Sequence, residues 1–144
     1  MKITLDSTVL VRAFDDNGVL ARELLFTILA GDHVLILSSE VLAETSRVLR
    51  YPRMRARHGM PDDKVYEYVM LLQSVATIVR PDPMLIAPIR DPNDIVVLQT
   101  ALIGGAELIC TTDQDFFNPP ASEFLRSAKI AVLTDAQLMR ILHA

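Results

Sequence analysis

Disulfides within the chain are ruled out at once: the 144 residues include one cysteine, Cys110. An intramolecular disulfide framework and a cysteine-rich zinc site are thereby excluded. No apolar run approaches the roughly 18 to 20 uninterrupted positions that a membrane span needs. The opening MKITLDSTVLV carries one lysine and then meets Asp6, so a secretory signal is not expected and the chain reads as cytoplasmic. Histidine is scarce as well. His33, His58 and His143 lie far apart, with no partner at metal-ligand or general-base spacing. No glycine-rich phosphate loop of either common kind is present. No lysine stands between Lys64 and Lys129. These absences leave carboxylates, hydroxyls and arginines as the groups that can carry chemistry.

What is present is globular. Hydrophobic residues make up 51% and charged residues 22%, ample for one closed core and one domain over residues 1–144. The net charge of −4 argues against a surface that grips nucleic acid everywhere. Its distribution matters more. Five of the 14 basic residues, Arg47, Arg50, Arg53, Arg55 and Arg57, fall in one short stretch, with His58 after them. The carboxylates lie elsewhere, several directly after apolar runs. That polarity suits an acidic metal site beside a basic, phosphate-binding rim; a solvated helix end with a charged loop has the same appearance.

The chain alternates between two patterns. Ile3–Leu5 ends at Asp6, and a second apolar segment, Val9–Phe14, follows. Residues 18–30 place Leu20, Leu24, Leu25 and Ile28 at helical spacing. Val34–Leu37 is a short, bulky run of the buried-strand kind. Ser38 and Ser39 are apt caps for a helix over 39–50, which Tyr51-Pro52 ends. A helix over 61–75, an extended 76–79 and a loop over Pro81–Pro88 come next. Asp91-Pro92 opens a helix that Gly104-Gly105 stops. Leu108–Thr111 and Ile130–Leu133 read as strands, and Thr134 with Gln137 forms a capping-box pattern for a last helix over 134–143. Cys110, inside an apolar strand, reads as a small core residue, and Met54, Met60, Met70 and Met84 as core or helix-contact residues. Such alternation implies parallel βαβ units, a central, mainly parallel sheet and helices on both faces: an α/β fold in three layers.

In open parallel sheets ligands bind beyond the carboxyl ends of the strands. Asp6 and Asp113 both stand there. Either acid alone is equally a helix cap or a turn former. Glu44 falls roughly 100° from the centre of the face set by Val41, Thr45 and Leu49, at the border of the buried stripe. Asp94 is the third residue of the helix begun at Asp91-Pro92, where the helix dipole already favours an acid. Carboxylates gathered without an interleaved lysine or arginine raise one another's pKa unless a cation neutralises them. An all-oxygen site with few protein ligands suits Mg²⁺ or Mn²⁺, which lower the pKa of bound water and steady charge on a phosphoryl group.

At these residues the sequence resembles the PIN domains, and among them the bacterial toxin ribonucleases of toxin–antitoxin pairs (VapC-like). The matching stretches are LDSTVLV, SSEVLAETSRVLRYPRM and RDPNDIVVLQTALIGGAELICTTDQDFF, which span most of the chain. The resemblance implies a PIN-like α/β/α fold and four catalytic, metal-holding acids, Asp6, Glu44, Asp94 and Asp113. Asp91 is a rival for the place of Asp94. Ser7 retains a hydroxyl of the family's Asp-Thr-Asn triplet, while Thr8 replaces its amide and is expected to weaken the hydrogen bonding around Asp6. Asp115 is expected behind the ligands, and Thr111 or Thr112 offers a hydroxyl to metal or water. Further implications are Mg²⁺ or Mn²⁺, an RNA substrate whose backbone the arginines at 47–57 hold, a homodimer and often a small antitoxin protein.

Rival readings make distinct demands. A nucleic-acid or protein-binding module on the same fold keeps the acids only as caps and predicts neither metal-dependent stabilisation nor RNA cleavage, whereas an RNA-processing nuclease keeps the site and has no antitoxin. A phosphotransfer receiver needs adjacent acids after the first strand and a strand-end lysine, and has neither here. An Asp-x-Asp phosphatase is disfavoured by Thr8.

Overall fold

The computed structural model describes residues 1–85 and 89–143. Five strands form the sheet: β1 (Lys2–Leu5), β2 (Val34–Ser38), β3 (Thr77–Val79), β4 (Leu108–Cys110) and β5 (Ala131–Leu133). All are parallel, in the order β3-β2-β1-β4-β5. The continuous apolar runs read as buried strands are buried on both faces: Ile3, Leu5, Leu37 and Ile109 have no exposed surface. The register sets Leu5 opposite Cys110 and Ile109 opposite Val132, so the C-terminal ends of β1, β4 and β5 share one edge.

The strand order reverses its direction of growth between β1 and β4. From β1 the chain builds outward through β2 to β3, then crosses back to β4 and β5. Because crossovers are right-handed, the helices of the two halves fall on opposite faces. Helices α1 (Ser7–Phe14), α2 (Val19–Ala30), α3 (Ser39–Leu49) and α5 (Asp62–Val75) pack among themselves on one side, with α8 (Asp135–Leu142) against α2. On the other side α6 (Pro92–Gly104) lies across β1 to β4. α4 (Pro52–His58) and α7 (Ala121–Ser127) are short.

Element ends follow local chemistry. Ser38 accepts from the Val41 N–H at 3.2 Å and starts α3. Asp91 accepts from the Asn93 N–H at 2.9 Å with Pro92 behind it, and Gly105, at φ 67°, closes α6 in the left-handed region. The capping box at Thr134 and Gln137 is made in full.

Three elements differ from the sequence expectation. The run Val9–Phe14 is the greater part of helix α1. With too few polar positions to show a period, its helical nature shows only where it packs. Pro52 does more than end α3: as the first residue of α4 it starts a new helix, its fixed φ suiting that position. α7 was not expected. Met60, Met70 and Met84 are exposed, so of the four methionines read as core only Met54 packs inward, against the small cluster of Val11, Leu49 and Val65. Within Pro81–Pro88, residues 81–85 form no regular element, and residues 86–88 lie outside the described part of the chain.

Candidate metal centre

The reversal point between β1 and β4 is where a parallel sheet of this order opens a crevice. Asp6 follows β1 directly, its N–H held by the Cys110 carbonyl at 3.0 Å. It occupies the N-cap position of α1 yet makes no side-chain cap bond. Its carboxylate is turned to hydroxyl donors instead. Thr111 donates to Oδ2 at 2.8 Å, Thr8 donates to the same oxygen at 3.1 Å, and Ser7 reaches Oδ1 at 3.4 Å. Thr8 thus supplies one of the three hydroxyl donors around Asp6.

Thr111, fully buried, does two things: its hydroxyl donates to Asp6 and accepts from the Asp113 N–H at 3.0 Å. One side chain thus joins the acid after β1 to the acid after β4. Thr112 is exposed and makes no hydrogen bond among the described residues, so the hydroxyl offered at either position is supplied by Thr111.

Asp94 reaches the same edge from the first turn of α6. It is buried, at 6% exposure, and its Oδ2 has no hydrogen-bond partner. One carboxylate oxygen each from Asp94, Asp113 and Asp115 lie within 4.8 Å of one another. Burial, then the proton that Asp94 could share with Asp113, then the charges of Asp113, Asp6 and Asp91 push the Asp94 carboxyl up to about 8. An acid kept protonated near neutral pH by burial and by neighbouring acids marks a site short of positive charge. An all-oxygen donor set with an unpartnered buried carboxylate oxygen fits a hard divalent cation.

The remaining expected residues divide. Asp91 is a cap, its Oδ1 spent on Asn93, so Asp94 is the acid directed into the cluster. Asp113 also caps, accepting from the Asp115 N–H with Oδ1. Asp115, expected behind Asp113, stands beside it in the cluster. Glu44 is not among the clustered acids. It pairs with Arg47 one turn on, and its Oε1 lies 3.5 Å from the Asn93 amide where α3 meets α6. Ser7, Glu44 and Asn93 line a small recess there. Sequence reasoning missed Asn93, whose only signal was its place between Asp91 and Asp94.

The arginine run is largely neutralised. Arg47 pairs with Glu44, Arg55 with Asp62 at 2.6 Å and Arg57 with Asp15 at 3.0 Å, while Arg50 lies over the Tyr66 ring at 5.6 Å. Arg53 is exposed and has no ion pair among the described residues. Arg12, outside the run, lies on α1. It binds Asp135 at the start of α8 at 3.0 Å, and the buried Cys110 thiol senses Asp135, Arg12 and Asp6 together. Burial first, then Asp135, push that thiol up to about 12, in keeping with a core role.

Clustered carboxylates at the switch point of a doubly wound parallel α/β sheet are the defining features of fold and site. The PIN domain family model matches residues 2–115, and the chain belongs to that family. A solved structure, VapBC2 from Rickettsia felis bound to a DNA fragment from their promoter, contains a similar chain: TM-score 0.61, 14% identity, covering 93% of this chain and 98% of that one. At that identity the likeness is one of fold. No curated protein matches the chain. No helix among the described residues is long and apolar enough to cross a membrane.

Proposed function

We propose that the protein is a metal-dependent endoribonuclease that hydrolyses RNA phosphodiester bonds, and the toxin partner of a small antitoxin. The observation that carries the nuclease reading is the buried, partnerless Oδ2 of Asp94 beside Asp113 and Asp115, with Asp6 linked to Asp113 through Thr111. Asp6, Asp94 and Asp113, with Asp115 near, would hold Mg²⁺ or Mn²⁺, which would supply an acidified water and charge stabilisation at phosphorus. The protein's own work is to aim three carboxylates together, with Thr111 fixing the first relative to the third. Glu44 stands at the rim, its carboxylate free to join the acids once Arg47 turns to a phosphate. Membership of the PIN family supports the activity.

The toxin role rests on the likeness in fold to a chain of a VapBC complex and on exposed apolar side chains on α2 and α5. Phe26, Leu71 and Met70 are 62%, 48% and 64% exposed, a surface suited to a protein partner, whether antitoxin or second copy. The cytoplasm is the compartment such a ribonuclease requires.

The test is cleavage of a mixed-sequence RNA with EDTA, Mg²⁺ or Mn²⁺, beside Asp6→Asn and Asp113→Asn. Metal-dependent cutting that both substitutions abolish, with the fold intact by circular dichroism, is the expected result. Cutting retained in both removes the metal-site assignment. No cutting in any condition, with no metal-induced rise in melting temperature, favours a binding module that keeps its acids as caps, as Asp91 already does.

A further inference from the structure

Beside the carboxylate cluster α1 carries a second feature that the hydrolytic reading does not use. A cavity of about 300 Å³ lies between the C-terminal half of α1, the start of α2, α4 and the start of α8. Its size is at the small end of ligand sites. Val11, Leu20 and Met54 give it apolar walls, while Arg12, Arg57 and Asp135 bring charge.

The donors in that wall are not used up. Arg57 gives its Nε to Asp15, and its two terminal amino groups have no protein acceptor among the described residues. Arg12 gives Nη1 to Asp135 and Nε to the Thr8 carbonyl, and its Nη2 has no acceptor. The acids, by contrast, are occupied. Asp15 accepts from Arg57 and from both nitrogens of Asn17, and Asp135 accepts from Arg12 and the Ala136 N–H. The ligand that fits brings acceptors, and a flat apolar ring to lie against Val11, Leu20 and Met54. A bare phosphate satisfies only the first requirement. Guanine satisfies both, since its O6 and N7 accept from one guanidinium fork in a bidentate pair.

Position adds to the chemistry. Arg12 stands six residues after Asp6 on the same helix, about 9 Å along its axis, and its ion-pair partner Asp135 ties the cavity to the sheet edge that carries the carboxylates. Asp135 follows β5 at that same edge. Single-stranded RNA is read by splaying out a base, packing its ring against the protein and bonding its edge.

We propose that this cavity receives a guanine of the RNA strand, with Arg57 reading its O6/N7 edge, and so sets where the strand is placed over the carboxylates. The proposal rests on the ribonuclease reading, and its test separates the two. Short uridine-tract RNAs carrying one central guanine, adenine or cytosine, or none, are titrated in EDTA by fluorescence anisotropy. The guanine strand is expected to bind tighter than the others by on the order of tenfold or more, the discrimination typical of a bidentate pair. Arg57→Lys keeps the charge beside Asp15, loses the fork and is expected to erase the preference. Leu20→Trp, at a partly exposed wall residue, is expected to erase it by filling the cavity while leaving both arginines in place.

Equal affinity for all four strands overturns the proposal, as does a guanine preference that survives both substitutions. Arg57→Lys weakening every strand alike makes Arg57 a backbone contact and overturns it too. Guanine-selective binding with no cleavage in Mn²⁺ leaves the cavity assignment standing and removes the nuclease reading. Cleavage in Mn²⁺ without guanine preference does the reverse.

Discussion

Asp94 shows how one side chain links stability to function. In the metal-free protein its carboxyl holds a proton up to about pH 8, whereas in the unfolded chain such a group releases it near about 4. Between those limits the folded state binds more protons than the unfolded state, so each rise in pH favours unfolding. The metal-free protein is therefore expected to lose melting temperature from pH 4 toward about 8. Asp94→Asn is expected to remove that component of the decline, and a profile identical to wild type sinks the assignment of the shift to this residue. A bound cation reverses the electrostatics. Mn²⁺ at a hundredfold excess over its Kd is expected to stabilise the wild type by about 2.7 kcal/mol and to leave Asp94→Asn nearly unmoved, read by thermal denaturation. Sequence alone placed Asp94 in the first turn of a helix, where an acid needs no further reason to be. Its burial and its partnerless oxygen come from the way α6 meets the ends of β1 and β4.

At the scale of elements, α6 and α4 illustrate opposite outcomes. The Gly104-Gly105 pair was legible as a helix stop, but its two residues do different work. Gly105 takes the left-handed φ that ends α6. Gly104 is still helical, and a Cβ there would stand 2.3 Å from Cγ2 of Ile36 on β2. Gly104→Ala is expected to cost about 1 to 3 kcal/mol despite the better helix propensity of alanine, measured by urea denaturation; a neutral or stabilising effect refutes the close approach. Along α3 and α4 the arginine run was legible as charge, but not its pairing. Once Arg47, Arg55 and Arg57 are matched to Glu44, Asp62 and Asp15, Arg50 and Arg53 are left without an ion pair among the described residues, and of the two Arg53 is exposed while Arg50 lies over the Tyr66 ring. Arg53→Gln is expected to lower the salt slope of single-stranded RNA binding by about 0.7, while Arg55→Gln has a smaller effect. Equal effects from the two would mean that these ion pairs open when RNA binds.

For the molecule as a whole, the path of the chain decides what the acids can do. Residues 94 and 113 cluster, and residue 6 is joined to residue 113 through the Thr111 hydroxyl, only because the strand order turns back between β1 and β4. The alternation of short apolar runs with amphipathic stretches determined a parallel α/β fold without any structure, since buried strands and one-sided helices have distinct periods. Caps at Ser38, Asp91 and Thr134 were equally legible, being contacts between residues two or three apart. The acids were legible as candidates through their place after strands and through the resemblance in motif. Which of them cap and which cluster was decided only by tertiary structure. Asp91 spends its oxygen locally while Asp94 does not, and Glu44 is claimed by Arg47. The physical reason is range: a cap is satisfied within one turn of chain, whereas a shared carboxylate site depends on strand register and on which helix ends the sheet brings to a common edge.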